Sequence, residues 1–327
     1  MDKPKTIDGL MLHLRNQKIQ ISGSKQKRIL TNIGYYHGYK GYRFLKTKNN
    51  PLPITDFDQL NSIYKYDSEL KALFYPYVMA IETAIKNIAI DVVCNYVRSS
   101  RFIDIYEKGL TEYKQYLSNK NDKKFLDAVK RRNSIRENYY NISMNQYQHK
   151  NDIAVHFQNK DMDMPLWAWF ELITLGDFGY FLTACNFEIK YKISEHLKIN
   201  PKYNTNGRIP EKIIFCIKDL RNAIAHNRVI YDLRFQKKDI NDALMNMLTI
   251  ETKINVRFSE IVDYLILLIF ILKKLGYTKT ELKSTVLEFK TINEKLRKTI
   301  PISMYNKFVS TDFKNKLELL NEFIKKS

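Results

Sequence analysis

Scarcity sets the first limits on this chain. Three cysteines occur in 327 residues, Cys94, Cys185 and Cys216. They are far apart, odd in number and set in apolar helical patterns, which excludes a disulfide framework and predicts reduced thiols in the core of a cytoplasmic protein. Cysteine, histidine and acid do not gather at metal-ligand spacing, so neither a metal nor any other cofactor is expected. Long apolar runs are missing too. The most apolar stretch, Tyr264 to Leu272, is about half of the ~20 residues that span a bilayer, and it reads as a buried helix. Met1 to Arg15 lacks the apolar core of a secretory signal, since Asp2, Lys3, Lys5 and Asp8 interrupt it, so neither export nor a membrane partner is expected. There is no strand alternation of any length and no internal repeat.

Acid is scarce relative to base. Lys plus Arg number 54 against 35 Asp plus Glu, a formal charge of +19. Such an excess favours polyanions through counterion release and steering, with nucleic acid the first candidate and anionic membrane the second. Abundant Lys, Asn, Ile, Tyr and Phe also fit an A/T-rich coding bias, but that bias enriches Glu as well and does not by itself account for the imbalance.

What is present is helical periodicity. Residues 5–33 read as two short helices separated by Ser22-Gly23-Ser24, followed by a crowded stretch from Gly34 to Phe44 with Tyr35, Tyr36, Tyr39 and Tyr42. Tyr36 and Tyr39 are candidates to stack nucleobases, or else the stretch is a tyrosine-rich packing corner. His37 alone supports no catalytic role, and the glycines there lack phosphate-loop spacing. After a turn at Pro51 and Pro53, a long helix is predicted from about Phe57 to Val97, kinked at Pro76. Glu82 and Lys86 in it are spaced as a helix-surface ion pair.

Residues 98–160 look polar and irregular. Within them Lys123, Lys124, Lys130, Arg131, Arg132 and Arg136 form either a phosphate-contacting surface or a solvated helix face. A second core helix is predicted to begin within Met164–Gly179, with proline suited to its first turn and glycine to its end, and with Trp167, Phe170, Leu172 and Ile173 in the core. Glu171 within it needs a cationic or amide partner if buried. Residues 211–226 and 256–275 make two further core helices, and two lysine-rich helices follow near 279–297 and 309–326. The organisation expected is an N-terminal helical region over 1–50, a core over 51–276 with the basic insertion at 98–160, and a C-terminal extension over 277–327.

One stretch concentrates chemistry: Leu220-Arg221-Asn222-Ala223-Ile224-Ala225-His226-Asn227-Arg228. A histidine can carry protons near neutral pH and an arginine can hold a phosphate with paired hydrogen bonds. Together with orienting amides, these are the parts needed for metal-free RNA cleavage. Equally, Arg, His and Asn near a helix end can merely satisfy its last carbonyls. On an ideal helix, residues five apart point about 140° from each other. Arg221 and His226 therefore meet in one site only through a distorted helix end or a second copy of the helix across a two-fold axis.

This stretch resembles the LRNxxAHxxR signature of the HEPN superfamily, in the form carried by Abi-like (AbiD/AbiF-type) abortive-infection proteins. Lys3-Pro4, Gly34-Tyr35-Tyr36 with Gly41-Tyr42, Ile63 to Leu70, Ile81 to Lys86 and Pro165-Leu166-Trp167 through Gly176 follow as landmarks in the same order. The resemblance covers roughly residues 3–235. Two departures stand out: Arg228 follows His226 more closely than in the signature, and Lys86 takes the place of a family arginine. The resemblance implies an all-α, HEPN-like helical bundle and a metal-independent endoribonuclease active in phage defence. Arg221, His226 and Asn222 would form its catalytic centre, with Asn227, Arg228, Glu171 and Glu82 in support. It also implies a homodimer and, in some relatives, restraint of the toxin by a small non-coding RNA. The alternative is a non-catalytic RNA-binding protein of the same fold.

Overall fold

The computed structural model describes residues 6–119, 122–236 and 240–326. The Lys3-Pro4 landmark and Lys120, at the head of the basic run, lie outside the described residues. Among those described, the chain is all-α, with only isolated bridges such as Gln20 with Asp56 in place of strands. The helices that position the site and its surroundings are α1 (Phe57–Val97), α2 (Lys123–Gln148), α3 (Ile209–Ala225), α4 (Ile261–Lys274), α5 (Lys279–Thr299) and α6 (Phe313–Lys325). The long first helix has the limits its periodicity predicts and runs through Pro76.

The chain divides into two compact units. The first gathers Met1–Val78, Asp219–Ile240 and Leu248–Ser327, and the second Met79–Lys218 and Asn241–Met247. These units cut across the consecutive segments expected from the sequence, because partners far apart in the chain pack together. In the first unit, Tyr66 of α1 donates its hydroxyl to Asn293 of α5 at 2.9 Å, 227 residues away. Phe74 stacks on Phe289 at 5.9 Å.

The first unit is built around α4, in which every residue from Ile261 to Leu272 is buried. A helix apolar on all sides can only sit inside a core. Asp263 is the exception in composition, fully buried within that run. Its carboxylate is met by Lys316 of α6 at 2.7 Å and by the Ser259 N–H at 3.1 Å. The next helix, α5, starts with a reciprocal capping box between Thr278 and Glu281. It buries Leu282, Val286, Phe289, Ile292 and Leu296 along one face.

In the second unit, the stretch expected to be irregular contains a 26-residue helix, α2. Its buried stripe is Ala128, Arg132, Ile135 and Tyr139. A cation at one stripe position breaks the apolar pattern, which is why sequence periodicity misses the helix. Tyr139 stacks face to face on Phe102 and donates its hydroxyl to the Met164 carbonyl. The helix expected within Met164–Gly179 is two: Leu166–Leu172 and Leu175–Ala184. Thr174 and Asp177 form a capping box that starts the second, so Gly176 sits in a first turn instead of ending a helix. Trp169, not Trp167, fills the core: Trp167 is 46% exposed. Gly179 is required by packing, since a Cβ there would lie 2.8 Å from the Phe215 ring. Cys185 and Cys216 are buried. Burial pushes the Cys185 thiol up to about 12, which leaves it unreactive.

Removing one member of a buried ion pair strands the other. Lys316→Ala is expected to cost about 3–5 kcal/mol, whereas Lys316→Met combined with Asp263→Leu is near neutral. Urea unfolding of the two variants checks the contrast.

Candidate active site

The buried residues of α3 toward its C-terminus are Ile213, Ile214, Cys216, Ile217, Leu220 and Ala223. This stripe carries the Arg221 to Arg228 turn to the helix end. The His226 N–H still bonds the Asn222 carbonyl at 3.1 Å. Asn227 then adopts a positive φ of 49°. Its N–H turns back to the Ile224 carbonyl at 3.0 Å, and the Arg228 N–H reaches the Ala223 carbonyl at 2.7 Å. This pair of bonds is the Schellman arrangement, with His226 as the last residue of the helix and Asn227 as the left-handed residue after it. Asparagine tolerates that conformation better than most residues. Backbone groups therefore cap the helix end, and its side chains are not needed for that task.

The side chains separate by exposure. Arg221 and Asn222 are partly buried, and an Arg221 guanidinium nitrogen contacts the Asn222 side-chain oxygen at 3.4 Å. His226, Asn227 and Arg228 are exposed. The helix end presents an imidazole and a cation to solvent, with a second cation and an amide in the preceding turn.

Beyond the turn, Val229 and Ile230 plunge into the first unit. There the fully buried Asp67 of α1 receives the chain. One carboxylate oxygen accepts the Ile230 and Tyr231 N–H groups at 2.8 and 3.0 Å. The other accepts the Tyr42 hydroxyl at 2.8 Å and pairs with Lys71 at 2.7 Å. Burial, and then the carboxylate beside it, hold the Tyr42 hydroxyl far above its usual range. Lys71 also donates to the Asn227 side-chain oxygen at 2.9 Å. The nitrogen of that amide faces His37 Nε2 at 3.5 Å. Farther on, Asp232 accepts the Lys46 N–H at 2.6 Å and pairs with Arg234. The Arg234 guanidinium also bonds the carbonyls of Gly41 and Phe44. The Gly34–Phe44 stretch is thus a packing corner built on the strand of chain that leaves the turn.

The sequence-nominated residues fall in different places. Arg221, Asn222, His226, Asn227 and Arg228 stand together at one helix end. Glu82 and Glu171 belong to the second unit. Glu82 pairs with Lys86 at 3.2 Å, as its spacing predicts, but it is buried and not on the helix surface. Glu171 is exposed, so water rather than a buried partner stabilises its charge. In the basic run, Lys123, Lys124, Lys130, Arg131 and Arg136 are exposed. Arg132 is only 5% exposed, bonds the Leu110 carbonyl and lies over the Tyr106 ring at 4.5 Å. Tyr36 is exposed, whereas Tyr39 is buried and its hydroxyl is held by Gln17 and Arg43. Asp67, Lys71 and His37 were not nominated. The signal available was an acid and a lysine four apart in a helix that otherwise faces the core.

Among the described residues, no group of three or more His, Cys, Asp or Glu side chains is placed to hold a metal, and no helix is long and apolar enough to cross a membrane. The fold and the turn define an all-α protein with an arginine–histidine cluster at a capped helix end. The family model for Abi-like proteins matches residues 28–232, and the chain belongs to that family. The match takes in the tyrosine corner, α1, α2 and the whole Arg221–Arg228 turn. Membership points to abortive infection, that is, to phage defence. No curated protein and no solved structure matches the chain.

Two outcomes test this account of the site. Asp67→Ala removes the acceptor of two backbone N–H groups and strands Lys71, and is expected to cost about 3–5 kcal/mol in denaturant unfolding. His37 is held below its ordinary value of 6.5 by burial first and the Lys71 cation second, with Asp67 opposing. The unfolded chain therefore binds this proton more readily, and its contribution to stability is lost as pH falls below about 6.5. Between about pH 7.5 and 5.5 the wild-type unfolding midpoint should drop more than that of His37→Phe.

Proposed function

We propose that the protein is a HEPN-type endoribonuclease of phage defence that cleaves RNA without a metal ion. The observation that carries this reading is the exposed His226 at a backbone-capped helix end, one turn from the partly buried Arg221–Asn222 pair. Because main-chain N–H groups take up the Asn222, Ala223 and Ile224 carbonyls, the exposed His226 imidazole and Arg228 guanidinium are not needed to cap the helix. Membership of the Abi-like family and a formal charge of +19 support the same reading.

In the reaction, the ribose 2′-hydroxyl attacks the adjacent phosphorus. Its proton passes to a base, the P–O bond to the 5′-oxygen breaks, and that oxygen takes up a proton. The products are a 2′,3′-cyclic phosphate and a 5′-hydroxyl. His226 serves as proton carrier, a role worth roughly 10²- to 10⁴-fold in rate. Arg221 holds the phosphate oxygens, and Asn222 orients the guanidinium. Since Arg221 and His226 do not share a helix face, a second copy of the turn in a homodimer would supply the complementary residue. Exposed Lys123, Lys124, Lys130, Arg131 and Arg136, with Tyr36, are the side chains offered to RNA, either substrate or a small restraining RNA. Arg132 and Tyr39 are already engaged within the fold.

Purified protein is expected to cleave RNA in EDTA to cyclic-phosphate ends. His226→Ala and Arg221→Ala should each reduce the rate by at least about 10²-fold. RNA that is bound equally by all three proteins and cut by none would instead make this a non-catalytic RNA-binding protein.

A further inference from the structure

The side chains around the turn form a hydrogen-bond chain whose direction is dictated at every link. Asp67, a carboxylate, only accepts, so Tyr42 and Lys71 both donate to it. Lys71 only donates, so the Asn227 oxygen must be the atom facing it, at 2.9 Å. That fixes the amide, and its NH2 group is turned to His37 Nε2. An NH2 group only donates, so Nε2 must present its lone pair and the ring proton must sit on Nδ1. The Nδ1 atom is buried and has no hydrogen-bond partner.

We propose that Lys71, through Asn227, is the positioning device of the Arg221–His226 site, and that it holds His37 as a neutral, Nδ1-protonated imidazole against the turn. This inference rests on the nuclease reading for its catalytic consequence, but not for its structural content. Lys71 is only 7% exposed and too enclosed to serve as an RNA ligand. Its effect is exerted on the residue directly after His226. Asn227 is the pivot: its backbone sets where the helix ends, and its amide is gripped on one side by Lys71 and on the other by His37. His226 thereby leaves the helix in one direction instead of sampling several. The groups that face His37 are Asp67, Lys71 and Tyr64 from α1, Tyr36 and Tyr42 from its own segment, and Asn227. Lys71 and the Asn227 NH2 group both oppose a proton on Nε2, while Asp67 favours it.

The test pairs a spectroscopic readout with a kinetic one. Imidazole nitrogen spectra of the folded wild type should show His37 as the Nδ1–H tautomer, titrating below 6.5. Asn227→Asp replaces the donor by an acceptor and should reverse the sign, raising the His37 midpoint above 6.5. Lys71→Met should raise it relative to wild type. Asn227→Gly keeps the left-handed backbone without strain, and so removes the amide while leaving the fold in place. RNA cleavage by Asn227→Gly and Lys71→Met should show kcat reduced by about 10- to 100-fold at near-constant KM, the size expected of a misplaced catalytic group. An Nε2–H tautomer in wild type, or a His37 midpoint unmoved in Asn227→Asp, overturns the proposal. So does undiminished kcat in Asn227→Gly. If wild type itself leaves RNA intact, the nuclease reading alone fails, and the spectra still decide the positioning chain.

Discussion

One buried carboxylate, that of Asp67, is what the arginine–histidine turn of this protein depends on. It lies with no solvent exposure in a helix of the first unit and takes four hydrogen bonds or ion-pair contacts. Burying a charge is costly unless every lone pair is used, and here two backbone N–H groups, a phenol and an ammonium use them. The backbone donors belong to Ile230 and Tyr231, directly downstream of the arginine–histidine turn. The phenol belongs to the tyrosine corner and the ammonium reaches back to Asn227. Three chain segments, remote in sequence, are thus tied at one point, and the turn is held where they meet.

That tie explains why the turn can be both exposed and ordered. A helix end in water normally frays, and side chains at it sample many directions. Here the end is closed by a Schellman pair of main-chain bonds, and the next residues enter the core at once. The left-handed residue at that end is an asparagine, which adopts the conformation more readily than most L-residues.

Charge is used in two distinct ways. Lys71, Lys316, Arg132 and Arg234 are spent inside the units on carboxylates, carbonyls and rings, and they stabilise the fold only because their partners are in place. The other lysines and arginines of α2 named above, Lys123, Lys124, Lys130, Arg131 and Arg136, are exposed, although Arg136 also lies over the Tyr106 ring at 4.3 Å. Tyrosines divide in the same way, Tyr39 and Tyr42 inward and Tyr36 outward.

Apolar periodicity by itself determined the all-α class and most helices, because a 3.6-residue stripe reports directly on which face meets a core. The arginine–histidine turn was equally legible, since its residues are contiguous and their chemistry is local. The periodicity failed where a stripe position held a polar residue with a tertiary partner, as at Arg132 in α2. It also failed where a cap overrode composition, as at Thr174 and Asp177. Asp67, Lys71 and His37 could not be assigned a role in advance: their meaning lies in the direction of hydrogen bonds across 156 to 190 residues of chain. Only the tertiary structure decided those pairings, because a buried charge selects its partners by geometry and not by spacing along the sequence.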